Sequence, residues 1–182
     1  MDYWIVLSLA LAWALTPLLF HEVGHWVVLR RLGVPVAEYW LGLGPMLFRL
    51  GPFRVGMLPI GGAVVPEAAP YAKLIARQKM VVALAGPAAS LLYALIALCV
   101  WWFNKELAGA QGLWLVSMLS LALACINLLP VPPLDGFQAY VGWREAQGRP
   151  LPTLWLNRAE RLGSGLVYGV GFWVLGLWVL AR

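Results

Sequence analysis

Two histidines and a glutamate occur at a spacing that suits metal chemistry. The chain has two His residues, and both belong to the pentad His21-Glu22-Val23-Gly24-His25, which has the form H-E-x-x-H. On a helix, residues four apart lie on one face, so the two imidazoles can bind a single metal ion. Glu22 can reach a water at that metal without being a ligand, which is the arrangement of water-activating zinc in metallopeptidases.

The pentad lies in an apolar segment. It follows a charge-free run from Tyr3 to Phe20. In an arbitrary soluble chain, H-E-x-x-H can arise by chance. Ionisable residues inside a membrane segment are costly, however, and are functional candidates by default. We therefore favour a metal site over the alternative, a pair of membrane-buried histidines that are satisfied by hydrogen bonds.

The composition is that of a polytopic membrane protein. Of the 182 residues, 62% are hydrophobic and 12% are charged, about half the charged share of an ordinary soluble domain. Mean hydropathy is +0.80, and eleven Trp residues suit a chain with much surface at the lipid–water boundary. The net charge of +5 is not accompanied by a basic stripe interleaved with aromatics, so nucleic acid is not predicted as a partner.

The apolar runs predict an all-α polytopic membrane protein with about four transmembrane helices in a single domain, residues 1–182. The predicted spans are about 3–29, 80–103, 113–129 and 162–181. The first lacks the basic start and the cleavage site of a signal peptide, so we expect it to remain as a span. At about 1.5 Å per residue, His21 lies about 12 Å from the Leu29 end, inside the membrane but near one face.

The stretch between the first two spans is rich in Gly and Pro and does not have a helical pattern. Short β-prone pieces separate its turns over about 37–65, and it is too apolar for a solvated loop. We expect a membrane-associated or re-entrant β-hairpin or small sheet that packs on protein or lines a water-filled cavity, because lipid does not tolerate open strand edges. Its role would be to pair with an extended substrate; the alternative is a structural plug.

Lys and Arg are distributed unevenly along the chain. The segments 30–79 and 130–161 hold eleven of the thirteen. The positive-inside rule therefore predicts a multi-pass protein of the cell membrane, with its N-terminus outside and both segments in the cytoplasm. The pentad and Asp135 would then lie toward the same, cytoplasmic side of the bilayer.

A catalytic zinc ion needs a third protein ligand, because it usually takes three and leaves a fourth position for water. No further His exists, so the third ligand must be a carboxylate or a Cys; the candidates are Cys125, Glu38, Glu67 and Asp135. Asp135 is favoured, because it follows a proline-broken helix end that can turn its side chain toward the first span, where an unpaired carboxylate would be costly. Alternatively, Asp135 caps the following helix.

The order of the motifs resembles that of the site-2 protease family of intramembrane zinc metalloproteases. H-E-V-G-H is followed by Pro59-Ile60-Gly61-Gly62, by Gly86-Pro-x-x-Ser90, and by N-x-x-P-x-P-x-L-D-G from Asn127 to Gly136. The resemblance covers most of the chain. It implies that His21, His25 and Asp135 bind one zinc ion and that Glu22 is the general base and acid. Asn127 would hold or polarise the substrate backbone, and Gly61 and Gly62 would end a β-hairpin that presents an edge to the unwound substrate.

The chain also departs from this family. Members often have Asn where this chain has Ser90, so Ser90 is assigned no catalytic role. Many members carry a PDZ domain between spans or a nucleotide-sensing domain at the C-terminus, whereas the turn from Asn104 to Gly112 is too short for one. We therefore expect a minimal core. Substrate choice would rest on the membrane segments, on prior trimming of the substrate by another protease, or on an accessory protein.

The predicted function is intramembrane proteolysis by a zinc metalloendopeptidase that cuts a peptide bond within or near a transmembrane segment of a membrane-protein substrate. The lipid bilayer and that substrate are the predicted partners. The competing prediction is a non-catalytic metal-binding membrane protein, a transporter or sensor, which would use His21, His25 and Asp135 without Glu22. A membrane zinc peptidase that trims prenylated C-termini would also use the pentad, but nothing else in the sequence indicates one.

Overall fold

The computed structural model describes residues 3–107 and 109–180, and this part of the chain is mostly helical with one small sheet. In chain order the elements are α1 (Tyr3–Arg31), β1 (Val36–Leu50), β2 (Phe53–Pro66), α2 (Ala68–Ala72), α3 (Ala76–Asn104), α4 (Ala110–Asn127), α5 (Asp135–Ala146) and α6 (Thr153–Leu180). The sheet lies between the first two long helices in sequence, as predicted. Residue 181, the predicted end of the fourth span, lies outside the described residues.

Two of the described helices, α3 and α4, are long and apolar enough to cross a membrane. They correspond to the predicted spans 80–103 and 113–129. The predicted first and fourth spans also lie in helices, but α6 begins at Thr153 and not at 162. Its first turns are largely exposed and mix polar and charged residues with apolar ones, so the helix begins before the continuous apolar run. The count of four membrane spans stays a prediction.

Helix α1 packs closely against α3 at Gly24. A Cβ at this position would lie 2.4 Å from the carbonyl oxygen of Ala85 and 2.6 Å from the Cβ of Ala89. A side chain at Gly24 would therefore separate the helices, and small residues on both sides permit the contact. Because His21 and His25 flank this glycine on the same helix, the close approach brings them to the surface of α3.

The end of α1 is anchored by a small apolar cluster. Leu29, Val34, Leu74 and Val82 are buried together, and they join α1, the chain before β1, the chain after α2, and α3. Leu29 is only 1% exposed and lies one turn beyond His25. The cluster thus fixes the position of the helical turn that carries the histidines.

The sheet is a long antiparallel hairpin with an irregular register. Gly51, at the turn between the strands, has a φ of +58°, a backbone conformation that favours glycine. The start of β1 pairs with the end of β2, from Val36 with Pro66 to Leu41 with Gly62, and residues 39–41 also pair with residues 53–55. The start of β1 therefore lies between the two ends of β2. Within the described residues no further strand pairs with 62–66, so these residues form an edge of the sheet.

Helix α5 packs across α3 and begins close to the end of α4. A Cβ on Gly136 would lie 2.2 Å from the carbonyl oxygen of Leu128, and a Cβ on Gly142 would lie 3.1 Å from that of Ala76. Lys79 and Glu145 add an ion pair of 3.3 Å between α3 and α5. These contacts fix the first turn of α5, which carries Asp135, next to α1 and α3.

Candidate metal site

The two histidines of the pentad lie on one face of α1 and direct their Nε2 atoms at each other. These atoms are 3.3 Å apart. His21 is only 3% exposed, and His25 is partly buried. The helical spacing of four residues therefore brings two imidazole nitrogens to one point, as predicted from the pentad.

Asp135 reaches the same point from the first turn of α5. Its Oδ2 atom lies 2.9 Å from Nε2 of His21 and 3.3 Å from Nε2 of His25. The residue at the cap position of α5 is Leu134, and the carboxylate of Asp135 is in the first helical turn. Asp135 is therefore not the N-cap residue of this helix, which was the alternative role predicted for it.

The three ligand atoms have the spacing that one zinc ion requires. Atoms at about 2.0–2.1 Å from a tetrahedral zinc lie about 3.3 Å from one another. The observed separations of 2.9, 3.3 and 3.3 Å are close to this value. Two imidazole nitrogens and one carboxylate oxygen also form a usual donor set for catalytic zinc. The residues that are present therefore fit the metal.

The other candidates for the third ligand lie elsewhere. Cys125 is exposed on α4, and Glu67 is exposed beyond the end of β2. Glu38 forms an ion pair with Arg54 inside the sheet and accepts a hydrogen bond from Nε1 of Trp40. Among the described residues, the group of possible metal ligands comprises His21, His25 and Asp135.

The other ring nitrogen of each histidine contacts α3. Nδ1 of His21 lies 2.9 Å from Oγ of Ser90, and Nδ1 of His25 lies 2.8 Å from the carbonyl oxygen of Val82. A Cβ on Gly86 would lie 2.2 Å from Nε2 of His25 and 2.6 Å from Nε2 of His21. Neither Ser90 nor Gly86 is among the residues that were predicted for the site. Their shared motif, Gly86-Pro-x-x-Ser90, was the available signal.

Burial raises the pKa of the Asp135 carboxyl, but hydrogen bonds and favourable charge interactions with His21 and His25 outweigh burial and hold this pKa below its usual value. The carboxyl group is therefore ionised at neutral pH, the form in which it can bind a metal.

Glu22 lies beside the edge of the sheet. A Cβ on Gly62 would lie 2.9 Å from Oε1 and 3.1 Å from Cγ of Glu22, so glycine lets the strand lie against this side chain without displacing it. Gly61, the residue before it, has a φ of +76°, which also favours glycine. The two glycines therefore bring the edge of β2 and the carboxylate of Glu22 together.

A cavity of about 590 Å³ joins these elements. Its lining includes the histidines, Glu22 and Asp135, the residues Gly61 and Gly62 of the sheet edge, and Asn127 at the end of α4. Nδ2 of Asn127 donates a hydrogen bond to the carbonyl oxygen of Leu123, at 3.0 Å. The structure thus brings all seven predicted site residues to one cavity.

Comparison with known families identifies a match over more than half of the chain. The profile of peptidase family M50 matches residues 9–111. This range includes most of α1, the whole hairpin and α3, but it ends before Asp135.

Several curated relatives carry the name of a zinc metalloprotease. Rip2 of Mycolicibacterium smegmatis is 32% identical over 76% of this chain and 58% of that protein. Rip3 of Mycobacterium tuberculosis is 30% identical over 98% of this chain and 46% of that protein. Rip2 of the same organism is 30% identical over 94% of this chain and 74% of that protein. The chain thus spans about half the length of the first two relatives.

A solved structure has the same fold. The site-2 protease from Methanocaldococcus jannaschii superposes with a TM-score of 0.57 at 22% sequence identity, and the match covers 100% of this chain and 70% of that protein.

Proposed function

The chain belongs to peptidase family M50, and from this we propose that it is a zinc metalloendopeptidase that cuts membrane-protein substrates within or near a transmembrane segment. In this proposal His21, His25 and Asp135 hold one zinc ion, and Glu22 is the catalytic base and acid. Such an activity would serve in regulated intramembrane proteolysis.

One observation carries this proposal. Oδ2 of Asp135 lies within 3.3 Å of both Nε2 atoms, although 114 residues separate Asp135 from His21. The same cavity is lined by Glu22, a carboxylate that does not join the ligand group. A site that only stores or senses a metal has no need of this second carboxylate, whereas a hydrolase needs a base near the metal.

In this proposal, different residues of the site have different roles in peptide hydrolysis. When bound, zinc acts as a Lewis acid that lowers the pKa of a coordinated water to about 7 and polarises the peptide carbonyl group. Glu22 takes the proton from the attacking water and delivers it to the nitrogen of the leaving amine. Asn127, which lines the same cavity, would hold the substrate backbone near the scissile bond.

The edge of β2 suits a substrate in extended conformation. A transmembrane helix hides its carbonyl groups in its own hydrogen bonds, so it must unwind locally before a peptide bond can be attacked. Residues 62–66 have no partner strand on their second edge among the described residues, and several of them line the cavity. Pairing with this edge would replace part of the hydrogen bonding that the substrate loses on unwinding.

We place the enzyme in the cell membrane as a multi-pass protein. The uneven distribution of Lys and Arg supports an orientation with the N-terminus outside and the metal site toward the cytoplasmic face. The substrate and the surrounding lipid are its partners in this proposal, and an accessory protein would contribute to substrate selection.

The substitution Glu22→Gln tests the proposal, because it removes the base but no metal ligand. We expect cleavage of a co-expressed single-pass substrate to fall by about 10²- to 10⁴-fold, while the purified protein retains one zinc per chain. Substrate cleavage is read by immunoblot from a panel of single-pass proteins, and zinc content by mass spectrometry.

The substitution Glu106→Gln is the matched control, because Glu106 is exposed in the turn between α3 and α4. It should leave both cleavage and zinc content unchanged. If the wild-type protein binds zinc but cleaves no substrate, and Glu22→Gln changes nothing, the chain is a metal-binding transporter or sensor and the proposal is wrong.

A further inference from the structure

Three residues of α3 face the metal site at intervals of four. Val82, Gly86 and Ser90 are all buried and occupy one stripe of the helix. The carbonyl oxygen of Val82 contacts His25, the Cα of Gly86 faces both imidazoles, and the hydroxyl of Ser90 contacts His21. One helix therefore contacts both histidines, whereas Asp135 reaches them from another helix.

We propose that Ser90 is a positioning residue of the metal site, whose hydroxyl oxygen accepts a hydrogen bond from Nδ1–H of His21 and thereby holds Nε2 toward the metal. The inference rests on the proposed function, because it assigns Ser90 a role toward the metal of that same site. It adds a residue that touches neither metal nor substrate.

His25 shows how such a contact determines which nitrogen of the ring carries the proton. A carbonyl oxygen can only accept a hydrogen bond, so the contact with Val82 requires the proton of neutral His25 to be on Nδ1. When a metal is bound, Nε2 therefore carries the lone pair in place of the hydrogen that it donates to Asp135 in the metal-free protein, and this atom faces Asp135 and His21. The metal-ligand nitrogen of His25 is thus determined by the backbone of α3.

For His21, the contact that determines the tautomer comes from a side chain and not from the backbone. Oγ of Ser90 lies 2.9 Å from Nδ1 of His21, and Ser90 is 0% exposed, so water does not substitute for the hydroxyl. Removal of the hydroxyl would leave the His21 ring without a partner for Nδ1–H. The ring could then change tautomer or rotate, and its Nε2 would lose its fixed direction.

The test measures zinc affinity in detergent micelles by competition with a chelator. We expect Ser90→Ala to weaken zinc binding by about 10- to 100-fold, and Ser90→Thr, which keeps the hydroxyl, to restore it to within about threefold of wild type. Ser117→Ala is the matched control, because Ser117 is also buried in a helix pair and donates its hydroxyl hydrogen bond to the carbonyl oxygen of Ala94. It should bind zinc as the wild type does.

A second measurement reads the tautomer itself. The chain contains two histidines, so protein labelled with ¹⁵N-histidine gives signals from the two imidazoles of the site alone. In the zinc-loaded wild type we expect both Nδ1 atoms to be protonated. In Ser90→Ala we expect one ring to show mixed or exchanging tautomers while the other is unchanged, and Ser117→Ala should give the wild-type spectrum.

The outcomes are distinct. Zinc affinity of Ser90→Ala within threefold of wild type, an equal loss in Ser117→Ala, or a wild-type His21 ring with its proton on Nε2 would each overturn the inference. If Ser90→Ala fails to fold, the wild-type spectrum and Ser90→Thr decide. A wild-type protein that binds zinc but cleaves nothing refutes the proposed function alone, and the role of Ser90 is then still judged from affinity and tautomer.

Discussion

At the scale of the residue, Gly86 provides the space between the two imidazoles. An added Cβ would lie 2.2 Å from Nε2 of His25 and 2.6 Å from Nε2 of His21. A zinc ion lies about 2.0–2.1 Å from such nitrogens. A methyl group at this position would therefore overlap with both ligand nitrogens and keep them from reaching a common metal ion.

We predict that Gly86→Ala abolishes zinc binding and cleavage while the protein keeps its helical content. Zinc per chain, measured by mass spectrometry, should fall close to zero, and circular dichroism should be unchanged. The control is Gly112→Ala on α4, where the new methyl group would meet the Trp13 ring at an ordinary 3.7 Å. A zinc content of one per chain in Gly86→Ala would show that the metal lies elsewhere.

At the scale of the element, the packing of α1 on α3 decides whether the histidines meet their partners. The close packing of these two helices depends on Gly24, because a Cβ there would lie 2.4 Å from a carbonyl oxygen of α3. Backbone atoms cannot move out of the way as the end of a flexible side chain can, so the whole helix would have to shift. Such a shift would carry His21 away from Ser90.

We predict that Gly24→Ala lowers the free energy of unfolding by about 1–3 kcal/mol, the usual cost of overpacking, and also weakens zinc binding. Unfolding in mixed detergent micelles, followed by circular dichroism, measures the first effect, and chelator competition measures the second. Gly165→Ala is the control, since a Cβ there meets nothing within 4 Å among the described residues. Equal stabilities of the two variants would contradict the importance of this helix crossing.

At the scale of the whole molecule, family and fold agree with the order of motifs along the chain. The resemblance to site-2 proteases is confirmed by the family profile and by relatives aligned over most of the chain. The solved site-2 protease shares the fold. Orientation in the membrane stays a prediction, and it follows from charge distribution alone.

We predict that position 105 lies on the outer side of the cell membrane and that position 149 lies on the cytoplasmic side. In a background with Cys99 and Cys125 replaced by Ala, a membrane-impermeant maleimide should label Lys105→Cys in intact cells. Arg149→Cys, also at an exposed position, should react only after permeabilisation. Labelling of Arg149→Cys in intact cells would invert the proposed topology and place the metal site toward the other face.

Much of the fold could be predicted because it depends on local patterns. Apolar runs indicated the long helices, and Gly and Pro indicated the break that contains the sheet. The boundaries were less accurate where polar residues continue a helix, as at Thr153. The irregular register of the hairpin was not predictable, since residues 39–41 pair on both sides with strand segments that only packing brings together.

The pentad by itself determined that two imidazoles share one face of a helix, because the spacing of four residues follows from the geometry of the α-helical backbone. Only the tertiary structure decided which of four candidates lies with them, and why Ser90 and Gly86 belong to the site. These residues come from α3 and α5, and their distances to His21 and His25 depend on how closely whole helices pack. Contacts between elements far apart in the chain are determined by packing, and the spacing of residues within one segment does not predict them.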